Sequence, residues 1–125
     1  ASQFLKDNLS VYRYGGNFIS ATPGFKSEEE IKTSAQNALA KAMEVIKDDF
    51  DMVVLDEINV ALSLNLINPD EVLNILKNKP YGLEVILTGR NAPDEIIEIA
   101  DLVTEMKEIK HPFKEGIAAR KGIEF

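Results

Sequence analysis

The sequence predicts an α/β domain with a mostly parallel sheet and flanking helices, and three observations carry that reading. Short apolar runs, "MVVL" and "LEVIL", alternate with longer stretches whose apolar residues recur at helical spacing. The longer stretches open on helix-start chemistry: Ser27 three residues before Glu30, then Pro-Asp-Glu at 69–71 and again at 93–95. Both apolar runs also end in polar groups, Asp56-Glu57 and Thr88-Gly89-Arg90. Sheets of this kind bind ligands at the carboxyl ends of their strands.

Each element follows in order. "LSVYRYGGNFIS" (9–20) sets β-branched and aromatic residues on either side of Gly15-Gly16, which predicts a strand, a turn and a short second strand. "ATPGF" (21–25) is a Pro/Gly loop. From Ser27 to Phe50 the apolar positions Ile31, Ala35, Ala38, Leu39, Ala42, Met43 and Ile46 predict an amphipathic helix behind a capping box. "DMVVLDE" (51–57) reads as a buried strand. "NPDEVLNILKNKP" (68–80) has Asn68 as N-cap, Pro69 at the first helical position and acids in the first turn, a second helix. "LEVILTGR" (83–90) is another apolar strand, "NAPDEIIEIA" (91–100) another helix, and "DLVTEMKEI" (101–109) a last short strand.

Composition narrows the function classes. A chain of 125 residues is one domain, 1–125, with 45% hydrophobic and 28% charged residues, as globular proteins have. A formal net charge of −7 argues against nucleic acid or an anionic membrane as partner, since both need a basic surface. There is no cysteine, which fits a cytoplasmic setting, and the single histidine cannot build a multi-histidine metal centre. No apolar run approaches the roughly 20 residues of a membrane span.

The strand ends carry the candidate chemistry. An apolar strand closing on Asp-Glu can hold a hydrated Mg²⁺ that bridges nucleotide phosphates, with the second acid as ligand, water holder or base. The competing reading is that Asp56 caps the next segment and Glu57 faces solvent. Arg90 can grip a phosphate with its bidentate fork, or can be a surface arginine after a turn glycine. Phe25 can stack on a flat ligand or plug the edge of the core. His111 sits in a basic tail with Lys110, Lys114, Arg120 and Lys121. That tail is either a solvated face or a meeting point for an anionic substrate, with His111 as acid, base or corrinoid ligand in the second case.

"DMVVLDEINVAL", "VILTGRNAPDEIIEIADLVTEM" and "KHPFKEGIAARKGIEF", in that order, resemble the P-loop type ATP:corrinoid adenosyltransferases. The resemblance runs from Leu9 to Phe125 and implies a P-loop NTPase, RecA-like architecture. It implies an alkyl transferase of adenosylcobalamin synthesis with ATP and cob(I)alamin as substrates and Mg²⁺ as cofactor. Position by position, it implies that Glu57 is the acid at the Mg²⁺ and phosphates, with Asp56 beside it. Thr88 and Arg90 then lie at the strand end facing the nucleotide, and Phe25 is the loop aromatic near the corrinoid. Some members carry a tryptophan two residues after that phenylalanine; Ser27 stands there in this chain. The implied chemistry is displacement: Co(I) attacks the ribose C5′ and triphosphate leaves as a unit. A homodimer and a reductase partner are the associations it allows.

One departure stands out. The family opens on a strand and a glycine-rich phosphate loop, and no part of this sequence matches that loop. Three readings follow: an adenosyltransferase whose amino-terminal part is not in the sequence, a shortened non-catalytic paralogue that binds a corrinoid or a partner, or a generic P-loop-like interaction module. Geometry favours the first. "SQFL" and "LSVYRY" read as two strands with only Lys6, Asp7 and Asn8 between them, whereas parallel neighbours need a crossover of about a dozen residues. The sequence is therefore expected to be closed up between Leu5 and Leu9, with a disordered or absent phosphate loop before Ala1.

Overall fold

The computed structural model describes residues 8–14 and 27–123. Its first helix, α1 (Glu28–Val45), begins as the capping box requires. The Glu30 amide donates to Ser27 Oγ at 3.2 Å, and the Ser27 amide donates to Glu30 Oε2 at 2.6 Å. Two of the amides a helix start leaves without partners are thereby satisfied. Leu39, Ala42 and Val45 then fall on one face of the helix and are buried.

Strand β1 (Met52–Leu55) follows, then a short helix α2 (Ile58–Ser63) and a longer one, α3 (Pro69–Asn78). Asn68 caps α3 by accepting the Asp70 amide at 3.0 Å, and Pro69 occupies the first turn, where no amide is needed. Strand β2 (Glu84–Leu87) pairs with β1 in parallel, Met52 opposite Glu84 and Leu55 opposite Leu87. Residues 56–83 form the crossover, long enough to return the chain in the same direction. The ladder continues past both ends through the Glu84 amide to Asp51 O (2.9 Å) and the Thr88 amide to Leu55 O (3.2 Å). Helix α4 (Asp94–Ile99) and a 3₁₀ turn (Pro112–Glu115) complete the described elements.

The core joins α1 through Leu39, Val45 and Ile46 to Val53 of β1, Ile58 and Leu62 of α2, Val72 and Ile75 of α3, and Ile96 of α4. Val72 is wholly enclosed, and burying a side chain of that size contributes about 1.5–3 kcal/mol. A small parallel sheet with helices packed on it is an α/β arrangement, as expected.

Three expectations are corrected. Residues 101–109 form no strand, and Leu102, Val103, Met106 and Ile109 are all exposed. Residues 9–14 form none either; they run as irregular chain beside α1, with the Lys41 ammonium 4.8 Å above the centre of the Tyr12 ring. In both places the residue types suit a strand, but a strand exists only with a partner, and among the described residues β1 and β2 pair only with each other. The third correction concerns β1, which is buried on one face only. Val53 is enclosed while Met52 and Val54 are each 52% exposed, because no helix of the described residues covers their side. The second strand expected after Gly15-Gly16, and the break expected between Leu5 and Leu9, fall at least partly outside the described residues.

Candidate functional site

The carboxyl ends of β1 and β2 lie side by side because the strands are parallel and in register to Leu55–Leu87. Asp56-Glu57 and Thr88-Gly89-Arg90 therefore emerge together, and the structure ties them with specific bonds. The Thr88 hydroxyl donates to Asp56 Oδ1 at 2.6 Å, and the Glu57 amide donates to Thr88 Oγ1 at 2.9 Å. Glu57 itself adopts the left-handed conformation, φ 60° and ψ 17°, at the position before α2. That backbone is uncommon for a residue with a side chain, and it ends the strand abruptly. Its carboxylate caps no amide of α2, and both acids are exposed.

The second strand end is held against the start of α2. The Asn59 amide donates to Thr88 O at 3.1 Å, and Asn59 Nδ2 reaches Gly89 O at 3.5 Å. Gly89, at φ 121°, lies so close that a Cβ there would sit 3.1 Å from the Val60 nitrogen and 3.2 Å from Asn59 Cβ. Asn59 is the buried polar residue among the described residues, and its Oδ1 has no hydrogen-bond partner. Sequence reasoning passed over Asn59; the available signal was one amide inside the apolar stretch "INVAL" directly after two acids.

These strand ends open onto a groove of about 1040 Å³ between β1, α1 and residues 8–14. Asp56, Glu57 and Arg90 line one end of it, and Tyr12, Tyr14 and Lys41 line another part. Lys41 is bonded to Glu44 at 3.0 Å, which raises its pKa above the ordinary 10.5, with burial opposing the effect. Arg90 is exposed and makes no ion pair among the described residues, so its fork is available to an anion. A smaller depression of about 450 Å³ along the start of α1 does not reach the strand ends.

Of the residues singled out from the sequence, Asp56, Glu57, Thr88 and Arg90 are therefore brought together. Phe25 lies outside the described residues. His111 does not line the groove; it caps the 3₁₀ turn, its Nδ1 accepting the Phe113 amide at 3.1 Å. Nearby, Lys114 pairs with Glu108, and Lys110 with Glu115 at 3.0 Å, as a solvated face would. No group of three or more potential metal-ligating side chains occurs among the described residues. No helix there is long and apolar enough to cross a membrane.

Known proteins resemble this chain in sequence. A corrinoid adenosyltransferase of Sinorhizobium sp. is 54% identical over 93 residues, covering 73% of this chain and 44% of its own length. One from Pseudomonas aeruginosa is 45% identical over 92 residues, covering 73% of this chain and 45% of its own. One from Escherichia coli K12 is 30% identical over 117 residues, covering 90% of this chain and 60% of its own. The chain thus spans about half the length of the curated relatives it matches. The family profile described as ATP:corrinoid adenosyltransferase BtuR/CobO/CobP matches residues 1–125, end to end, and the chain belongs to that family.

Proposed function

We propose that the protein is a cob(I)alamin adenosyltransferase, which transfers the 5′-deoxyadenosyl group of ATP to the cobalt of a reduced corrinoid in adenosylcobalamin synthesis. The observation that carries this reading is the convergence of Asp56, Glu57 and Arg90 on one groove at the strand ends of a chain of that family. In the reaction, the Co(I) electron pair forms a bond to C5′ of the ribose, the C5′–O bond breaks, and triphosphate departs with the C5′–O bonding pair. No side chain has to act as nucleophile. The protein's work is to hold the reactants in line and to offset the leaving charge.

The residues present fit a magnesium ion. It favours oxygen ligands and is commonly bound by one or two carboxylates together with substrate phosphates, and Asp56 and Glu57 are adjacent, exposed and paired with no cation among the described residues. Glu57, with Asp56 beside it, would hold the ion, which supplies positive charge against the triphosphate. Arg90 grips phosphate oxygens from the neighbouring strand end, where Thr88 holds Asp56 and the Glu57 amide. Phe25, which follows Pro23-Gly24 in the sequence, serves the corrinoid side, where an aromatic face helps cobalt shed its lower axial ligand and makes Co(I) easier to reach.

In this reading residues 1–125 belong to one domain of P-loop, RecA-like architecture, which the parallel pairing of β1 and β2 supports. A homodimer, a reductase that delivers the electron to cobalt, and a cytoplasmic location go with it. The test is direct. The full-length protein is mixed with MgATP and chemically reduced cob(I)alamin in the absence of oxygen, and the cobalt–carbon product is followed by its visible absorption. Adenosylcobalamin with one equivalent of intact triphosphate is expected. Orthophosphate release without a cobalt–carbon bond would overturn the proposal.

A further inference from the structure

We infer that Thr88 is a positioning residue for the acid pair rather than a ligand of the nucleotide, a role that rests on the function proposed above. A threonine hydroxyl has one proton to donate and two lone pairs to accept with. Here the proton goes to Asp56 Oδ1 at 2.6 Å, and one lone pair takes the Glu57 amide at 2.9 Å. A phosphate oxygen can only accept, so a hydroxyl with its proton already committed has nothing to give it. Thr88 thus acts on the substrate through Asp56 and Glu57.

The two bonds close a ring around the Asp56–Glu57 peptide and fix two things at once. They set the direction of the Asp56 carboxylate, and hence where its second oxygen is offered. They also give the Glu57 amide a partner in a left-handed turn, where the helical pattern supplies none.

The hydroxyl can do this because its own backbone is pinned on both sides of the acids. The Thr88 amide donates to Leu55 O at 3.2 Å, just before the pair, and Thr88 O accepts the Asn59 amide at 3.1 Å, just after it. A β-branched side chain on a pinned backbone has few χ1 choices, so the hydroxyl arrives already oriented. Such preorganisation is what a charge-stabilising site needs, because the acids then do not have to reorganise when the triphosphate leaves.

Valine has the shape of threonine without the hydroxyl, and serine has the hydroxyl without the methyl; the test compares the two in the full-length protein. The first readout is hydrogen exchange of the Glu57 amide without ligand. Thr88→Val is expected to speed it about tenfold or more, and Thr88→Ser to stay within about threefold of wild type. The second readout is steady-state adenosylation with MgATP and pre-formed cob(I)alamin. Thr88→Val is expected to lower kcat about 10- to 100-fold, the loss that follows removal of a hydrogen bond to a charged group, with KM for cob(I)alamin changed by less than about threefold. Thr88→Ser should recover most of that kcat. A valine variant with wild-type kcat, or a serine variant as impaired as valine, would overturn the inference. Absence of turnover in the wild-type protein would instead defeat the proposed function, and the positioning role would then be decided by the Glu57 exchange rate alone.

Discussion

Replacing Gly89 by alanine adds one methyl group, and the structure fixes what that group would meet. The residue holds φ 121°, a backbone that side chains rarely adopt, and forcing one there costs about 1–3 kcal/mol. The added Cβ would also lie 3.1 Å from the Val60 nitrogen, 3.2 Å from Asn59 Cβ and 3.3 Å from the Asn59 nitrogen. Two of those three atoms are backbone, so no side-chain rotation relieves the contact. The 88–91 turn must lift away from α2, weakening the Asn59 amide bond to Thr88 O, which contributes about 1 kcal/mol. Together the cost is about 2–4 kcal/mol. An unfolding entropy of about 2.1 cal/mol/K per residue gives about 0.26 kcal/mol/K over 125 residues, so Tm should fall by about 8–15 °C. Gly82→Ala is the control, since a Cβ there has nothing within 4 Å, and it should leave Tm within about 3 °C of wild type. Both are read by circular dichroism melts at one protein concentration. A Gly89→Ala protein melting within 3 °C of wild type would refute the packing argument, as would an equal loss in the Gly82 control.

Asn68→Ala removes the side chain that accepts the Asp70 amide, and should cost about 1 kcal/mol in urea unfolding with an unchanged slope. Glu57→Gln keeps the shape of an exposed side chain, so Tm should hold while adenosylation falls by about two orders of magnitude at saturating Mg²⁺. Unchanged turnover would remove Glu57 from the reaction. Phe25→Ala should impair the reaction with cob(II)alamin under mild reduction more than with pre-formed cob(I)alamin. Equal loss on both substrates would make Phe25 a packing residue.

The parts of the fold that were legible in the sequence are those determined over a few residues. Ser27 with Glu30, and Asn68 with Asp70, satisfy helix-end amides by contacts three residues apart or fewer, and with Pro69 at the first helical position their spacing alone locates α1 and α3. The strand expectation at 101–109 had the right residue types, but no local pattern reports whether a partner strand lies alongside. The same blindness made β1 look buried on both faces: Val53 and Val54 are alike in sequence, and only the neighbours decide that Val53 is enclosed and Val54 is not. Helix α2 was not foreseen because it has six residues and opens on Glu57 with no side-chain cap. At the site, the placement of the acids and Arg90 along one groove could be read from strand ends. The Thr88 bridge and the Asn59 contact could not, since they span 32 and 30 residues of chain.

Glu57 sets a limit on how this protein can be made more robust. At φ 60°, glutamate sits in a conformation that costs a residue with a side chain about 1–2 kcal/mol, while glycine takes it freely and asparagine nearly so. A library ranked by melting temperature alone would therefore favour glycine or asparagine at this position, and each winner would have discarded the acid. With Glu57 in the role proposed for it, selection for heat tolerance and selection for turnover pull position 57 in opposite directions, and thermal improvement of this protein is best sought away from the end of β1.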